Sequence, residues 1–270
     1  MFKKFLAGAL MAVAALSAGA FTTDTIKVPT RLLASPMDVT VIVPDAAAEG
    51  ERFPTVYLLN GYDGNHLAWT RSTRPDLGKL ADKYGMVIVM PDGRDSWYWN
   101  SPVDPKMQME DFIANELVGA IDERYPTIPE AAKRAISGLS MGGHGAMWLA
   151  VHHPDVWKSV GSMSGGVNIL PFVGKWRMAD RLGKYEGNEK VWEEHTVINM
   201  IPLFKEAGLN IIFDCGTEDF FADVNNDLHK RFLEAGVKHD YISRPGNHSH
   251  KYWANSVLYH LLFFNEAFNQ

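Results

Sequence analysis

Cysteine is all but missing. Cys215 is the only one in 270 residues, so no disulfide can form within the chain. The fold must rest on its core, which a chain of this length can supply. Basic clusters are missing too. The formal charge is −6, and Lys and Arg nowhere gather into a patch. That balance lacks the electrostatic footprint of a protein that binds nucleic acid or anionic membranes. No period repeats and no stretch is low in complexity, which excludes solenoids and disordered tails. The one long hydrophobic run, Leu6 to Leu16, is too short for a good membrane span.

That run has a different reading. Lys3 and Lys4 precede it, and the small residues Ala18-Gly19-Ala20 follow it. A basic start, an apolar stretch and a small-residue cut site are the layout of a secretory signal peptide over residues 1–20. No cysteine lies near the cut, so no lipid anchor is expected. Removing the leader with Lys3 and Lys4 takes the formal charge from −6 to −8. The expectation is a periplasmic or secreted protein, with no membrane attachment once the leader is gone. Residues 21–270 then form one domain. At 46% hydrophobic and 21% charged, the composition is ordinary for a globular chain.

Within that domain, residues 38–44 alternate apolar and polar, as a half-buried strand does. Residues 55–60, 86–90, 135–136, 210–214 and 240–244 are β-prone, and another strand ends near Ser164. Continuous apolar strands belong to parallel sheets covered on both faces. Helical patterns fall between them, over residues 77–84, 107–124, 141–152, 223–235 and 251–267. Strand and helix alternate, which predicts an α/β fold with a doubly wound, mostly parallel sheet. Residues 165–200 have weak periodicity and many Gly, Trp and charged residues. They read as an insertion over the C-terminal edge of the sheet, where such folds bind ligands.

The most informative motif is Gly138-Leu139-Ser140-Met141-Gly142. It fits G-x-S-x-G, in which a strand turns sharply into a helix and the serine hydroxyl projects from the turn. Side chains two residues to either side would clash, hence the glycines. A β-prone segment lies upstream, and Gly143-His144-Gly145-Ala146-Met147-Trp148 opens a helix downstream. Its N-terminus aims N–H groups at the reacting centre.

A nucleophilic serine needs a base and an acid. In folds with this elbow they follow in the order Ser, Asp or Glu, His. Glu218 and Asp219 both sit just beyond the 211–215 strand and qualify by position; Asp219 could also cap the following helix. For the base, His248 comes directly after the turn Pro245-Gly246-Asn247, and His250 is the alternative. The His-x-His pair also raises a metal reading, but no third or fourth ligand stands nearby. His152 and His153 close the elbow helix and read as helix C-terminal residues. The developing oxyanion needs two N–H donors. Met141, after the nucleophile, supplies one. The loop Asn60 to Asn65 supplies the other, with the Tyr62 backbone best placed.

Taken together, these segments resemble the esterase D family of α/β-hydrolases. That family includes S-formylglutathione hydrolases, tributyrin-type esterases, bacterial feruloyl and acetylxylan esterases, and mycolyltransferases. The resemblance rests on Leu58-Leu59-Asn60-Gly61-Tyr62 with Trp69, on Asp95-Ser96-Trp97-Tyr98, and most specifically on Gly138 to Ala146. Cys215-Gly216-Thr217-Glu218-Asp219-Phe220 and Pro245-Gly246-Asn247-His248 with Trp253 complete it, so that it covers roughly residues 35–265. It implies an α/β-hydrolase fold of about eight strands. It places the triad on Ser140, Asp219 and His248, and the oxyanion donors on the Tyr62 and Met141 amides. The chain departs from the pattern at Asn60, where many relatives carry His or Asp.

The expected activity is that of a serine carboxylesterase working through an acyl-enzyme, without cofactor or metal. Trp97, Tyr98 and Trp99 lie in the loop after the 86–90 strand, and Trp176, Tyr185 and Trp192 in the insertion. Aromatic walls suit sugar rings or aromatic acyl groups. Trp97, Tyr98, Trp99 and Trp176 are therefore the substrate-binding candidates. With the export signal, they point to acetyl or feruloyl esters of plant polysaccharide. The rival readings are an acyltransferase with the same triad, a general short-chain esterase and a non-catalytic binding protein.

Overall fold

The computed structural model of the protein describes residues 21–45 and 50–270. The segment expected to be a signal peptide, residues 1–20, lies outside the described residues. Eight strands form a single sheet: β1 Thr22–Val28, β2 Met37–Val43, β3 Thr55–Leu59, β4 Val87–Pro91, β5 Arg134–Gly138, β6 Ser159–Met163, β7 Asn210–Gly216 and β8 Asp240–Arg244. Their order is β1-β2-β4-β3-β5-β6-β7-β8. β1 and β2 run antiparallel to their neighbours, and β4 through β8 are joined by parallel ladders.

Successive side chains of a strand point to opposite faces, and here that period divides the core in two. Tyr57, Leu59, Ile136, Val160, Ile211 and Phe213 face one core, with the elbow helix Met141–His152 and the helix Ala222–Ala235 over them. Val56, Leu58, Ala135 and Ile212 face the other, under the helices Leu77–Tyr84 and His250–Phe268. Both faces are thus buried, which is why the central strands read as unbroken apolar runs. At the edges the pattern loosens. β1 buries only Ile26 and Val28, and the sequence reading left it out.

The predicted helix over 107–124 is a helical run of three pieces. Met109–Asp111 and Val118–Arg124 are α-helical, and Phe112–Leu117 between them is a wide π turn. Residues 164–209 connect β6 to β7 through the short helices Ala179–Leu182, Glu189–Glu194 and Ile201–Ala207.

The elbow helix is fixed from behind by a buried aromatic layer. Trp97 and Trp99 stack at 5.5 Å, and the Trp99 indole N–H donates to His144 Nε2 at 2.9 Å. Because an indole nitrogen only donates, Nε2 must accept, so the His144 proton sits on Nδ1. It is donated to the Gly166 carbonyl at 3.0 Å. Complete burial of this neutral ring pushes its pKa down to about 3. The sign of the consequence follows. Between that value and the ordinary histidine value of 6.5, the unfolded chain binds a proton that the folded chain does not, so stability is lost as the pH falls through this window. His144→Gln removes that proton uptake. Its melting temperature should therefore fall less than that of the wild type between pH 7 and pH 4; equal slopes in parallel thermal scans would refute this.

Candidate active site

Three chain segments emerge from the C-terminal ends of the parallel strands and meet at one point. The first is the turn after β5. Ser140 holds φ 57° and ψ −117°, a conformation that a non-glycine residue keeps only when its surroundings enforce it. The enforcement is visible. The Ser140 N–H donates to the Met163 carbonyl at 2.9 Å. A Cβ at Gly142 would stand 2.5 Å from the Leu59 carbonyl oxygen, and one at Gly138 would stand 2.4 Å from the Gly142 backbone. Only glycines on both sides let the turn close this tightly.

The second segment follows β8. His248 Nε2 lies 2.9 Å from Ser140 Oγ. The third follows β7. Both carboxylate oxygens of Asp219 lie against His248 Nδ1, at 3.0 and 2.9 Å. The Asp219 side chain is fully buried and also accepts the Phe221 backbone N–H at 2.8 Å. An ionised carboxylate only accepts, so Nδ1 carries the ring proton and Nε2 is left to receive the serine proton. The acid turn and the base loop are tied directly, since the Glu218 N–H donates to the Gly246 carbonyl at 2.9 Å. The Glu218 side chain is exposed and does not join the Ser140–His248–Asp219 contacts. His250 lines the same cleft, but its Nδ1 lies 2.8 Å from Thr73 Oγ1 and not against Ser140.

The two oxyanion candidates border the same cleft. In the first turn of the elbow helix, the Gly142 N–H is taken by the Leu139 carbonyl, and those of Gly143 and His144 by the Ser140 carbonyl. Met141, at the first helical position, has no helical acceptor for its N–H. Tyr62 lines the cleft beside Gly61. The loop that carries it is braced by Asn60, whose Oδ1 accepts the Gly93 N–H at 2.8 Å and whose Nδ2 donates to the Gly61 carbonyl at 2.9 Å. Tyr98 OH adds a bond to the Asn60 carbonyl at 3.0 Å, and the Trp69 indole donates to the Leu59 carbonyl at 3.1 Å.

That bracing corrects the expectation for three of the four aromatic candidates. Trp97, Tyr98 and Trp99 are fully buried and line no part of the cleft. Tyr98 fills a space left by two glycines, its hydroxyl oxygen 2.1 Å from where a Cβ of Gly93 would sit and its ring 2.2 Å from where one of Gly145 would sit. The physical reason is that the loop after β4 turns inward under the elbow helix instead of outward over it. Trp176 does line the cleft. It stacks on Phe220 at 5.8 Å, and Phe220 in turn lies 4.2 Å from the His248 ring. Phe220 is half exposed at 51%, although it follows a buried acid. Phe220 and the cleft residues Asp63, Arg71 and Trp253 were not singled out as site residues from the sequence. No periodicity marks them; the only signal for Phe220 is its place beside Asp219.

The cleft has a volume of about 640 Å³, within the usual range for small-molecule sites. A second cleft, of about 540 Å³, lies at the opposite edge of the sheet among Phe204, Val237, His239 and Phe263. It holds none of these groups. Among the described residues, no group of three or more His, Cys, Asp or Glu is arranged to hold a metal ion. Nor is any described helix long and apolar enough to cross a membrane.

Comparison with known proteins bears on the same conclusion. Residues 30–264 match the family model described as "Putative esterase". An acetyl esterase of Caldicellulosiruptor saccharolyticus is 24% identical over 219 residues, covering 76% of this chain and 80% of that protein. The S-formylglutathione hydrolase of Mus musculus is 25% identical over 220 residues, covering 74% and 76%. The solved structure of a ferulic acid esterase superposes with a TM-score of 0.79 at 23% identity, covering 92% of this chain and 99% of that one. The family match takes in most of the sequence, and the chain belongs to this esterase family and shares the α/β-hydrolase fold.

Proposed function

We propose that the protein is an exported serine carboxylesterase in which Ser140 is the nucleophile, His248 the general base and Asp219 the residue that orients it, acting on acetyl or feruloyl esters of plant polysaccharide. The observation that carries this reading is the continuous contact from Ser140 Oγ to His248 Nε2 and from His248 Nδ1 to the Asp219 carboxylate. His248 removes the serine proton as Oγ attacks the ester carbonyl. The Asp219 carboxylate stabilises the resulting imidazolium, and the Tyr62 and Met141 amides receive the oxyanion. His248 then returns the proton to the departing alcohol, and a water activated by the same ring releases the acid. The leader at residues 1–20 directs export to the periplasm or beyond.

Support for the substrate comes from the wall made by Trp176 and Phe220, which offers ring faces beside the reacting serine. Such faces suit a feruloyl ring or a sugar ring better than a flexible acyl chain. Relatives named as an acetyl esterase and a ferulic acid esterase fit the same substrate class.

Removing the nucleophile should abolish turnover without unfolding the chain. Ser140→Ala should lower kcat for p-nitrophenyl acetate by about 10³-fold or more, with an unchanged circular dichroism spectrum; near-normal turnover in the purified variant would exclude Ser140 as nucleophile. The two histidines are separated by assaying His248→Ala and His250→Ala together. The loss should be far greater for His248→Ala, and the reverse order would move the base to His250. The aromatic wall is tested by comparing substrates. Trp176→Ala should lower kcat/KM for methyl ferulate by a few-fold to about tenfold and leave p-nitrophenyl acetate nearly untouched. An equal loss on both substrates, with a lowered melting temperature, would return Trp176 to a packing role.

A further inference from the structure

Beneath the sheet edge that carries the catalytic residues lies a second serine–histidine–aspartate constellation, with no access to solvent. Ser137 Oγ is 2.8 Å from His260 Nδ1, and His260 Nε2 is 3.0 Å from Asp214 Oδ2. Ser137 and His260 are wholly buried and Asp214 is 1% exposed, so no substrate reaches them. With the Asp214 carboxylate accepting from His260 Nε2, a neutral imidazole accepts the Ser137 hydroxyl proton at Nδ1. Asp214 Oδ1 accepts from Ser256 Oγ at 2.7 Å, and Ser256 Oγ in turn accepts from Arg244 Nη2 at 2.6 Å.

What the network joins is specific. Ser137 lies on β5, three residues before Ser140. Asp214 lies on β7, five residues before Asp219. Arg244 ends β8, four residues before His248. Ser256 and His260 lie on the helix His250–Phe268, which begins two residues after His248. The ring of His260 crosses β6 at Gly161, where a Cβ would stand 2.3 Å from His260 Nδ1 and 2.7 Å from Ser137 Oγ. Each of the three segments that supply the triad is therefore anchored to one rigid group behind it. Burying a carboxylate and an imidazole is an expensive way to stabilise a core, since apolar residues of the same volume do as well or better. Their advantage is directional: hydrogen bonds hold a register that apolar packing lets slip.

We infer that Ser137, His260 and Asp214 are positioning residues for the esterase reaction: their hydrogen-bond chain sets the separation of the Ser140, His248 and Asp219 segments. The inference rests on the proposed triad. A displacement of about 1 Å in a reacting group can lower a rate by about 10²-fold, so the loss of one anchor should register in kcat before it registers in the fold.

Ser137→Ala deletes a single hydroxyl and leaves the His260–Asp214 pair intact. It should be compared with the wild type, with Ser140→Ala, and with the double variant Asp214→Asn/His260→Gln, which keeps an amide hydrogen bond in place of the charged one but loses the bond to Ser137. Full kinetics on p-nitrophenyl acetate, taken well below the melting temperature of each protein, should show kcat reduced about tenfold in Ser137→Ala with KM within about twofold of the wild type. The double variant should lose at least as much kcat. A merely structural role would lower the melting temperature and leave kcat per folded molecule unchanged, and that result in Ser137→Ala overturns the inference. A wild type that hydrolyses no ester, or a Ser140→Ala variant that still does, overturns the triad reading instead.

Discussion

The unfavourable backbone conformation of Ser140 is the constraint on which the remaining site depends. A residue in that region of φ/ψ space costs about 1–3 kcal/mol, and the surrounding chain must hold it there. Three elements do so at once. The end of β3 and the residue after it bring the Leu59 and Asn60 carbonyls so close that position 142 must be glycine. β6 accepts the Ser140 N–H through Met163. The helix Met141–His152 begins immediately, taking the next free N–H groups into its first turn and leaving the first of them free of any helical acceptor. The strain is thus the means by which one hydroxyl is lifted off the sheet edge toward His248.

From that fixed point the aromatic residues sort into two populations. Trp97, Tyr98 and Trp99 stand behind the elbow, where they brace His144 and the Asn60 loop. Trp176, Phe220 and Trp253 stand in front of it, around the cleft. Indole and phenol rings serve both purposes because they combine a large apolar area with one polar handle. Behind the elbow the handles are satisfied by protein atoms; Trp97 even reaches across with its indole N–H to the Trp176 carbonyl at 3.4 Å. The rear layer therefore also bears on the front wall, and a substitution there would reach the cleft without touching a ligand.

This sorting marks the limit of what the sequence made legible. Central strands could be read because both faces of a parallel sheet are buried and the apolar runs are unbroken, and the helix read over residues 77–84 keeps those bounds in the structure, where Gly85 closes it with a left-handed turn. The elbow glycines around Ser140 could be read because one steric requirement dictates both. The acid and base candidates followed from strand ends and chain order, although Glu218 against Asp219 was decided by family resemblance and not by chemistry. β1 escaped because an edge strand buries too few side chains to leave a pattern. The π turn at Phe112–Leu117 escaped because its apolar residues keep helical spacing. The direction of the Trp97–Trp99 loop escaped for a deeper reason. Whether an aromatic side chain points inward depends on partners such as His144, 45 residues away, and nothing local encodes that distance.

The same separation of roles explains why two serine–histidine–aspartate groups can coexist a few residues apart. The Ser–His distances, 2.9 and 2.8 Å, do not distinguish them, although the ring is reversed: Ser140 meets Nε2 of His248 and Ser137 meets Nδ1 of His260. Access and backbone do. Ser137 lies within a regular strand, and its hydroxyl is buried in a sealed core. Ser140 lies three residues later, past the end of the strand, where the chain leaves β geometry and a helix N-terminus faces the cleft. A charge-relay arrangement in the interior can only fix distances. At the edge of the sheet, beside open volume and a helix N-terminus, the proposed triad of Ser140, His248 and Asp219 is placed where a proton could move in step with bond formation.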